Sequence, residues 1–168
     1  MARQAFTFRF AEPDDAGALA ALFQEAELHY WGARDGAEDD ARAVADAILG
    51  GRSGVQAVLA CVDDRPVGFA TVTLLHPAPT PAGTLFMKDL YVSAGMRGSG
   101  IGRAFVRFLA GHAASLGCVR FDWTAEADNP RAVALYEALG AEVVREKVYF
   151  RVRGEDLEGF GADDAPAP

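Results

Sequence analysis

A strand that runs into closely spaced glycines and leaves them as an amphipathic helix is the feature that most restricts this chain. Thr84 to Ser93 reads as the strand, and Gly95, Gly98, Gly100 and Gly102 follow it. Gly100 to Leu116 reads as the helix, with Ile101, Ala104, Phe105, Phe108, Leu109 and Leu116 on one apolar stripe and Arg103 and Arg107 one turn apart on the polar side. A helix cap needs a single glycine, and this turn has several. Glycines leave successive backbone N–H groups uncrowded at a helix start, where the unsatisfied donors and the helix dipole favour phosphate oxygens. The spacing is not the dinucleotide fingerprint, because the last position of G-x-G-x-x-G counted from Gly98 is Arg103. Nor is it the nucleotide P-loop, because Gly100 is followed by Ile101 where that loop needs Lys. The expectation is a phosphate or pyrophosphate cradle of another kind.

The rest of the chain supplies a mixed α/β frame. Phe6 to Phe10 alternates like a strand, Pro13-Asp14-Asp15 offers a helix start, and Leu19, Leu22, Phe23 and Ala26 follow at helical spacing. Trp31 to Gly36 reads as a loop, and Asp39 to Leu49 as a second helix closed by Gly50-Gly51. Val55 to Val62 and Pro66 to Leu75 predict a hairpin over a tight Asp63-Asp64-Arg65 turn, and a Pro-rich loop runs from His76 to Pro81. Val119 to Ala125 predicts a strand and Ala132 to Leu139 a short helix. Ala141 to Val144 and Lys147 to Arg153 predict a final strand pair. An early hairpin followed by β-α-β-α-β predicts a mixed sheet with helices on both faces. One domain is expected over residues 1–158, with 159–168 a small, acidic, flexible tail.

The net charge of -8 argues against nucleic acid as the main partner. Its distribution is uneven. From Phe86 to Arg131 basic residues outnumber acidic ones, whereas from Glu27 to Asp46 six acids face only Arg34 and Arg42. That contrast suits an anionic cofactor beside a cationic substrate, though two ordinary solvated faces would read the same way. No apolar run approaches the ~18 residues of a membrane span, and MARQAFTFRF has no apolar signal core. Cys61 and Cys118 lack partners at metal-ligand spacing, so no metal is expected. A cytoplasmic location is the default expectation.

Arg97-Gly98-Ser99-Gly100-Ile101-Gly102 resembles the R/Q-x-x-G-x-G/A motif of the GNAT superfamily of acetyl-coenzyme A-dependent N-acetyltransferases, and Leu90-Tyr91-Val92 resembles that family's fourth strand. Asn129 to Ala141 is similar to its N-x-x-A-x-x-x-Y-x-x-x-G-A/F signature. The specific part of the resemblance is Leu85 to Ala141. Phe121-Asp122-Trp123-Thr124 and Tyr149-Phe150-Arg151-Val152 resemble the diamine and polyamine acetyltransferase branch. That branch carries Glu two residues before the Leu-Tyr-Val triplet; here Lys88 puts a cation in its place, which weighs against a polyamine acceptor.

The resemblance implies a mostly antiparallel sheet splayed at the cofactor site. Backbone groups of Leu90, Tyr91 and Val92 would pair with the pantetheine arm of acetyl-coenzyme A. N–H groups of Gly98, Ser99, Gly100, Ile101, Gly102 and Arg103 would hold the pyrophosphate, with Arg97 and Arg103 supplying charge. Asn129 would bond the pantetheine or the next loop, and it also suits a helix N-cap. Tyr136 would act as general acid on the departing thiolate, and a backbone N–H near Leu90 or Tyr91 would face the acyl oxygen. As a plain amphipathic residue Tyr136 could also pack with its hydroxyl outward. The base that deprotonates the amine stays open among Glu126, Asp128, Asp89, Glu27 and water. His29, Tyr30 and Trp31 form either an acceptor lining or a packed aromatic group. The expected activity is acetyl transfer to a small-molecule primary amine. Its alternatives are a protein or peptide N-acetyltransferase and a non-catalytic acyl-coenzyme A binding module. The family's habit of pairing through C-terminal strands implies a homodimer through Val143 to Val152.

Overall fold

Alternating Phe8 and Phe10 build the first strand, β1 (Thr7–Phe10), of a five-stranded sheet. The structure, a computed structural model, describes residues 5–162. Along the chain follow α1 (Ala16–Trp31), α2 (Ala37–Leu49), β2 (Gln56–Val62), β3 (Arg65–Leu75), β4 (Thr84–Val92), α3 (Ile101–Ser115), β5 (Phe121–Trp123), α4 (Pro130–Glu137) and α5 (Leu157–Ala162). Sheet order is β1-β2-β3-β4-β5, antiparallel through β4, with β5 added parallel. The α/β class and the mostly antiparallel sheet are as the sequence implies. The hairpin turn is tighter than expected: Val62 pairs with Arg65 across Asp63 and Asp64 alone. Both aspartates have positive φ, 47° and 60°, the backbone twist that two-residue hairpins favour.

Strand parity sends side chains to two cores. Leu59 faces Phe69, and Phe69 faces Tyr91, across the β2–β3–β4 ladder. These join Leu19, Leu22 and Ala26 of α1 and Ala45 and Ile48 of α2 in one apolar cluster. On the opposite face Phe8 and Phe10 lie against α3: the Phe8 ring is 4.6 Å from Phe105 and 5.3 Å from Phe108. Phe105 and Leu109 are fully buried, and each such side chain contributes roughly 2 kcal/mol. Helices therefore do cover both faces.

One irregularity decides the shape of the sheet. In the β3–β4 ladder Thr71 pairs with Asp89 but Val72 pairs with Met87, which leaves Lys88 as an extra residue. A bulge of this kind bends its strand and raises the local twist. It also switches parity, so Met87 points to the α3 face while Asp89 and Tyr91 point to the α1 face. The parallel β4–β5 pairing covers Leu85, Phe86 and Met87 and stops there. The expected strand Val119 to Ala125 is thus shortened to Phe121–Trp123, because β4 turns away from it at the bulge.

Two compact units divide at Pro130 and Arg131. In the second, α4 ends in a pair of bonds that explains part of its sequence signature. Ala141 N–H donates to Tyr136 O (3.1 Å) and Gly140 N–H to Glu137 O (2.9 Å), with Gly140 at φ 83°. This glycine-ended cap closes the helix four residues after the tyrosine, as the Y-x-x-x-G-A spacing requires. The expected strand pair over Ala141 to Val144 and Lys147 to Arg153 does not form: residues 141–153 contain no strand. Val148, Tyr149 and Phe150 are 73%, 72% and 87% exposed. An alternating apolar pattern yields a strand only beside a backbone partner, and two short strands alone are marginal in water. Of the expected tail, residues 159–162 belong to α5, and 163–168 lie outside the described residues.

Candidate active site

Past the bulge, Leu90, Tyr91 and Val92 pair with Ala70, Phe69 and Gly68 on the β3 side. On the β5 side, no ladder continues beyond Met87 among the described residues. That edge presents backbone donors and acceptors to whatever enters the gap, the geometry for adding an extended chain as a further strand. Ser93 N–H closes on Val67 O (2.9 Å), and a single 3-10 turn, Ala94–Met96, redirects the chain.

The glycine turn follows directly. Gly98 and Gly100 have φ of 81° and 92°, a region that side-chain-bearing residues avoid. A Cβ on either would meet no atom within 4 Å, so the turn is open above both. Ser99 hydroxyl donates to Met96 O at 2.6 Å and pins the turn from below. Gly100 caps α3 and its carbonyl accepts from Ala104 N–H (3.1 Å). The N–H groups of Ile101, Gly102 and Arg103 precede that bond and have no acceptor within the helix. Ile101 is buried under the turn, and its first turn contains no acidic residue. Exposed Arg103 and Arg107 flank the opening. Donors, dipole and arginines all favour an anion, and the turn is open above Gly98 and Gly100.

Arg97 is folded inward. Its Nε donates to Val92 O (3.0 Å), and its guanidinium lies 5.3 Å from the centre of the Tyr91 ring. Sequence reasoning gave this arginine a charge-supplying role and missed this second one. It missed Glu25 altogether. From α1 the Glu25 carboxylate accepts from Tyr91 hydroxyl (3.1 Å), Ser93 hydroxyl (2.7 Å) and Ala94 N–H (3.3 Å). Partial burial alone would push the Glu25 carboxyl up. Hydrogen bonds from Ser93, Ala94 and Tyr91, with the nearby Arg97 charge, outweigh it and hold the group below the usual carboxylate range. Tyr91 goes the other way: burial pushes its phenol up, and the Glu25 carboxylate adds to the rise. A tyrosine so committed is a poor proton donor to anything else. The only sequence sign of Glu25 was a charge beside the Leu22 and Ala26 stripe.

The candidate bases separate by location. Asp89 is on the α1 face of β4, with a half-exposed carboxylate that accepts from Thr71 hydroxyl at 2.7 Å and lies 3.4 Å from Lys88 Nζ. Glu27 is bonded to Arg34, which also pairs with Asp40 at 2.7 Å. Glu126 and Asp128 lie exposed in the turn after β5, where Glu126 O accepts from Asn129 N–H (3.0 Å). Asn129 immediately precedes Pro130, the first residue of α4, and Tyr136 is half-buried in the last turn of that helix. Tyr30 and Trp31, at the end of α1, are 51% and 80% exposed. The Tyr30 and His29 rings also lie 6.3 and 6.1 Å from that of Tyr91, so this group is packed on one side and open on the other. Among the described residues no cluster of three His, Cys, Asp or Glu could hold a metal, and no helix is long and apolar enough to cross a membrane.

The sheet parts beside an open glycine turn at a helix N-terminus, a geometry that favours an extended chain bearing an anionic group. Residues 8–141 match the acetyltransferase (GNAT) family, and the chain belongs to that family of acetyltransferases. It is 32% identical over 158 residues to aminoglycoside N(6')-acetyltransferase type 1 of Stenotrophomonas maltophilia, covering 90% of this chain and 96% of that protein. The solved integron cassette protein from the mobile metagenome of V. cholerae is 35% identical, with a TM-score of 0.83 over 94% of this chain and 98% of that one. AAC(6')-Iy, solved with the bisubstrate analog CoA-S-monomethyl-acetylneamine, shares the fold at 18% identity, with a TM-score of 0.71 over 89% of this chain and 99% of that one.

Proposed function

We propose that this protein transfers the acetyl group of acetyl-coenzyme A directly to a primary amine of a small polycationic molecule of the aminoglycoside or diamine class. The observation that carries the reading is the parting of β4 from β5 at Met87, next to the open Gly98–Gly100 turn. Leu90 to Val92 orient the pantetheine arm, and Gly98 to Arg103 bind the pyrophosphate. Asn129 bonds the pantetheine or the following loop. When bound, acetyl-coenzyme A supplies an activated acyl carbon.

An alkyl ammonium, with pKa about 10.4, must first lose a proton. The acceptor is one of Asp89, Glu126, Asp128, Glu27 or water; Asp89 sits one residue before Leu90 but is paired with Lys88, as Glu27 is with Arg34. As the C–N bond forms and the C–S bond breaks, Tyr136 Oη donates its proton to the departing sulfur, and the second proton shed by the amine nitrogen restores the phenol. The acidic side chains of Asp35, Glu38 and Asp39 are exposed, and open Trp31 and Tyr30 adjoin them in the chain. Carboxylates and aromatic faces both attract ammonium groups, which supports a polycationic acceptor, as do the substrates in the relatives' names.

Thiol release from acetyl-coenzyme A, measured over a panel of aminoglycosides, short diamines and peptides with free N-termini, tests the reading. Turnover is expected with the first two groups. Turnover with peptides alone would make it a protein-modifying enzyme, and coenzyme A binding without turnover on any amine would make it a sensor. The exposed Val148, Tyr149 and Phe150 supply an apolar surface of the kind a second copy covers. A sedimentation mass near twice 17.8 kDa is expected at micromolar concentration, and a mass near 17.8 kDa overturns the homodimer.

A further inference from the structure

We infer that Glu25 is a positioning residue for the cofactor, holding the β4 edge and the bend into the glycine turn in their binding geometry from outside the turn itself. The inference rests on coenzyme A binding at that edge and turn. Glu25 belongs to α1, more than sixty residues earlier in the chain than its partners, so its bonds are not a by-product of local folding. They also fall on three successive points of the path into the turn. Tyr91 is the last residue of β4 on the α1 face, Ser93 follows the strand, and Ala94 opens the 3-10 turn. One carboxylate thereby fixes a side chain within the strand, a side chain just past it and the backbone beyond.

Arg97 completes the arrangement from the other end. Its guanidinium rests on the ring of the Tyr91 whose hydroxyl Glu25 holds, and its Nε bonds Val92 O. The stretch from Tyr91 to Arg97 is thus tied at both ends, and Gly98 begins directly after it. The glycines beyond have no Cβ to restrict them, and a Cβ there would touch nothing. Their orientation is set by the Ser99 bond to Met96 O and by the chain on either side. Ile101, the buried first residue of α3, anchors the far side. The near side is anchored through Glu25. Loss of this anchor releases the turn to other conformers, and coenzyme A affinity falls by the fraction in which the turn is misplaced. Bonds to a charged carboxylate are among the stronger ones in proteins, so the effect is large enough to read.

The test measures coenzyme A dissociation constants by calorimetry, with melting curves on the same samples. Glu25→Ala is expected to weaken binding roughly ten- to a hundredfold. Glu25→Gln, which keeps one carbonyl oxygen as an acceptor, is expected to lose less. Ser93→Ala removes the shortest of the three bonds and covers the case in which Glu25→Ala does not fold; several-fold weaker binding is expected. In the double variant Glu25→Gln with Ser93→Ala, the combined loss should be smaller than the product of the single losses, because both act on one contact. In steady state, KM for acetyl-coenzyme A should rise with kcat and the acceptor KM little changed. A merely structural glutamate lowers the melting temperature and leaves coenzyme A affinity alone; that result, or independent multiplying losses, overturns the inference. Wild-type protein that fails to bind coenzyme A overturns the proposed function first and this inference with it.

Discussion

Gly100→Glu is expected to abolish measurable coenzyme A binding in a protein that still folds. Gly100 sits at φ 92°, so any L-residue there carries strain on the order of 1–2 kcal/mol. No atom lies within 4 Å of the added Cβ, so the strain is not compounded by a clash. A carboxylate at the start of α3 also interacts favourably with the helix dipole, worth roughly 0.3–1 kcal/mol, and offsets part of the cost. The fold therefore survives, whereas the bound state does not. A glutamate ~4 Å from a phosphate charge costs about 4 kcal/mol at an effective dielectric of ~20, close to a thousandfold in affinity. Gly100→Ala is the control. It has the strain without the charge, and because the strain is present with and without ligand, affinity should stay within about tenfold. Calorimetry with coenzyme A on both variants separates the two effects. Equal dissociation constants for the alanine and glutamate variants would place the pyrophosphate elsewhere.

The local elements of this fold are legible because each rests on nearby residues. Periodicity marks α1, α2 and α3, Asp63-Asp64 marks the hairpin, and the glycine turn declares its geometry. The Asn129 to Ala141 pattern is legible for the same reason, since its Tyr-to-Gly spacing is a local helix cap. What the sequence hides is non-local. The bulge at Lys88 leaves no trace in a run that reads Leu-Phe-Met-Lys-Asp-Leu-Tyr-Val, yet it decides which side chains face which core and where β5 lets go. Glu25 is hidden in the same way, because one helix and two strands separate α1 in sequence from β4 and the turn that carry its three partners. The strands expected over 141–153 show the converse error: their pattern is strand-like, but a pattern specifies a face and not a neighbour. The charge arithmetic around Glu27 has a similar flaw. The count there sets Arg34 against the acids as a single charge, whereas it binds Glu27 and Asp40 together.

Tyr136→Phe is expected to lower turnover by roughly a hundredfold or more while leaving coenzyme A affinity nearly intact. The protein has four tyrosines, and one of them, Tyr91, is committed elsewhere. Tyr91 already gives its hydroxyl hydrogen to Glu25, and burial with that neighbouring carboxylate pushes its phenol up. Tyr136 stands in the helix signature and is only half-buried. The substitution is also a clean one. The cap that ends α4 uses the Tyr136 backbone carbonyl, as acceptor from Leu139 and Ala141 N–H, so removing the hydroxyl keeps the cap and the ring. The end of α4 should therefore survive the substitution. A donor that protonates the departing sulfur matters most when the thiolate is a poor leaving group. The loss should accordingly shrink with an acetyl thioester of a more acidic thiol, because less protonation is needed for the C–S bond to break. A tyrosine that only packs would give the opposite result, a lower melting temperature and a loss of turnover that ignores the leaving group. Turnover with two thioesters, read beside a melting curve, distinguishes these cases. Full activity in Tyr136→Phe removes the residue from the mechanism and leaves water as the proton donor to sulfur.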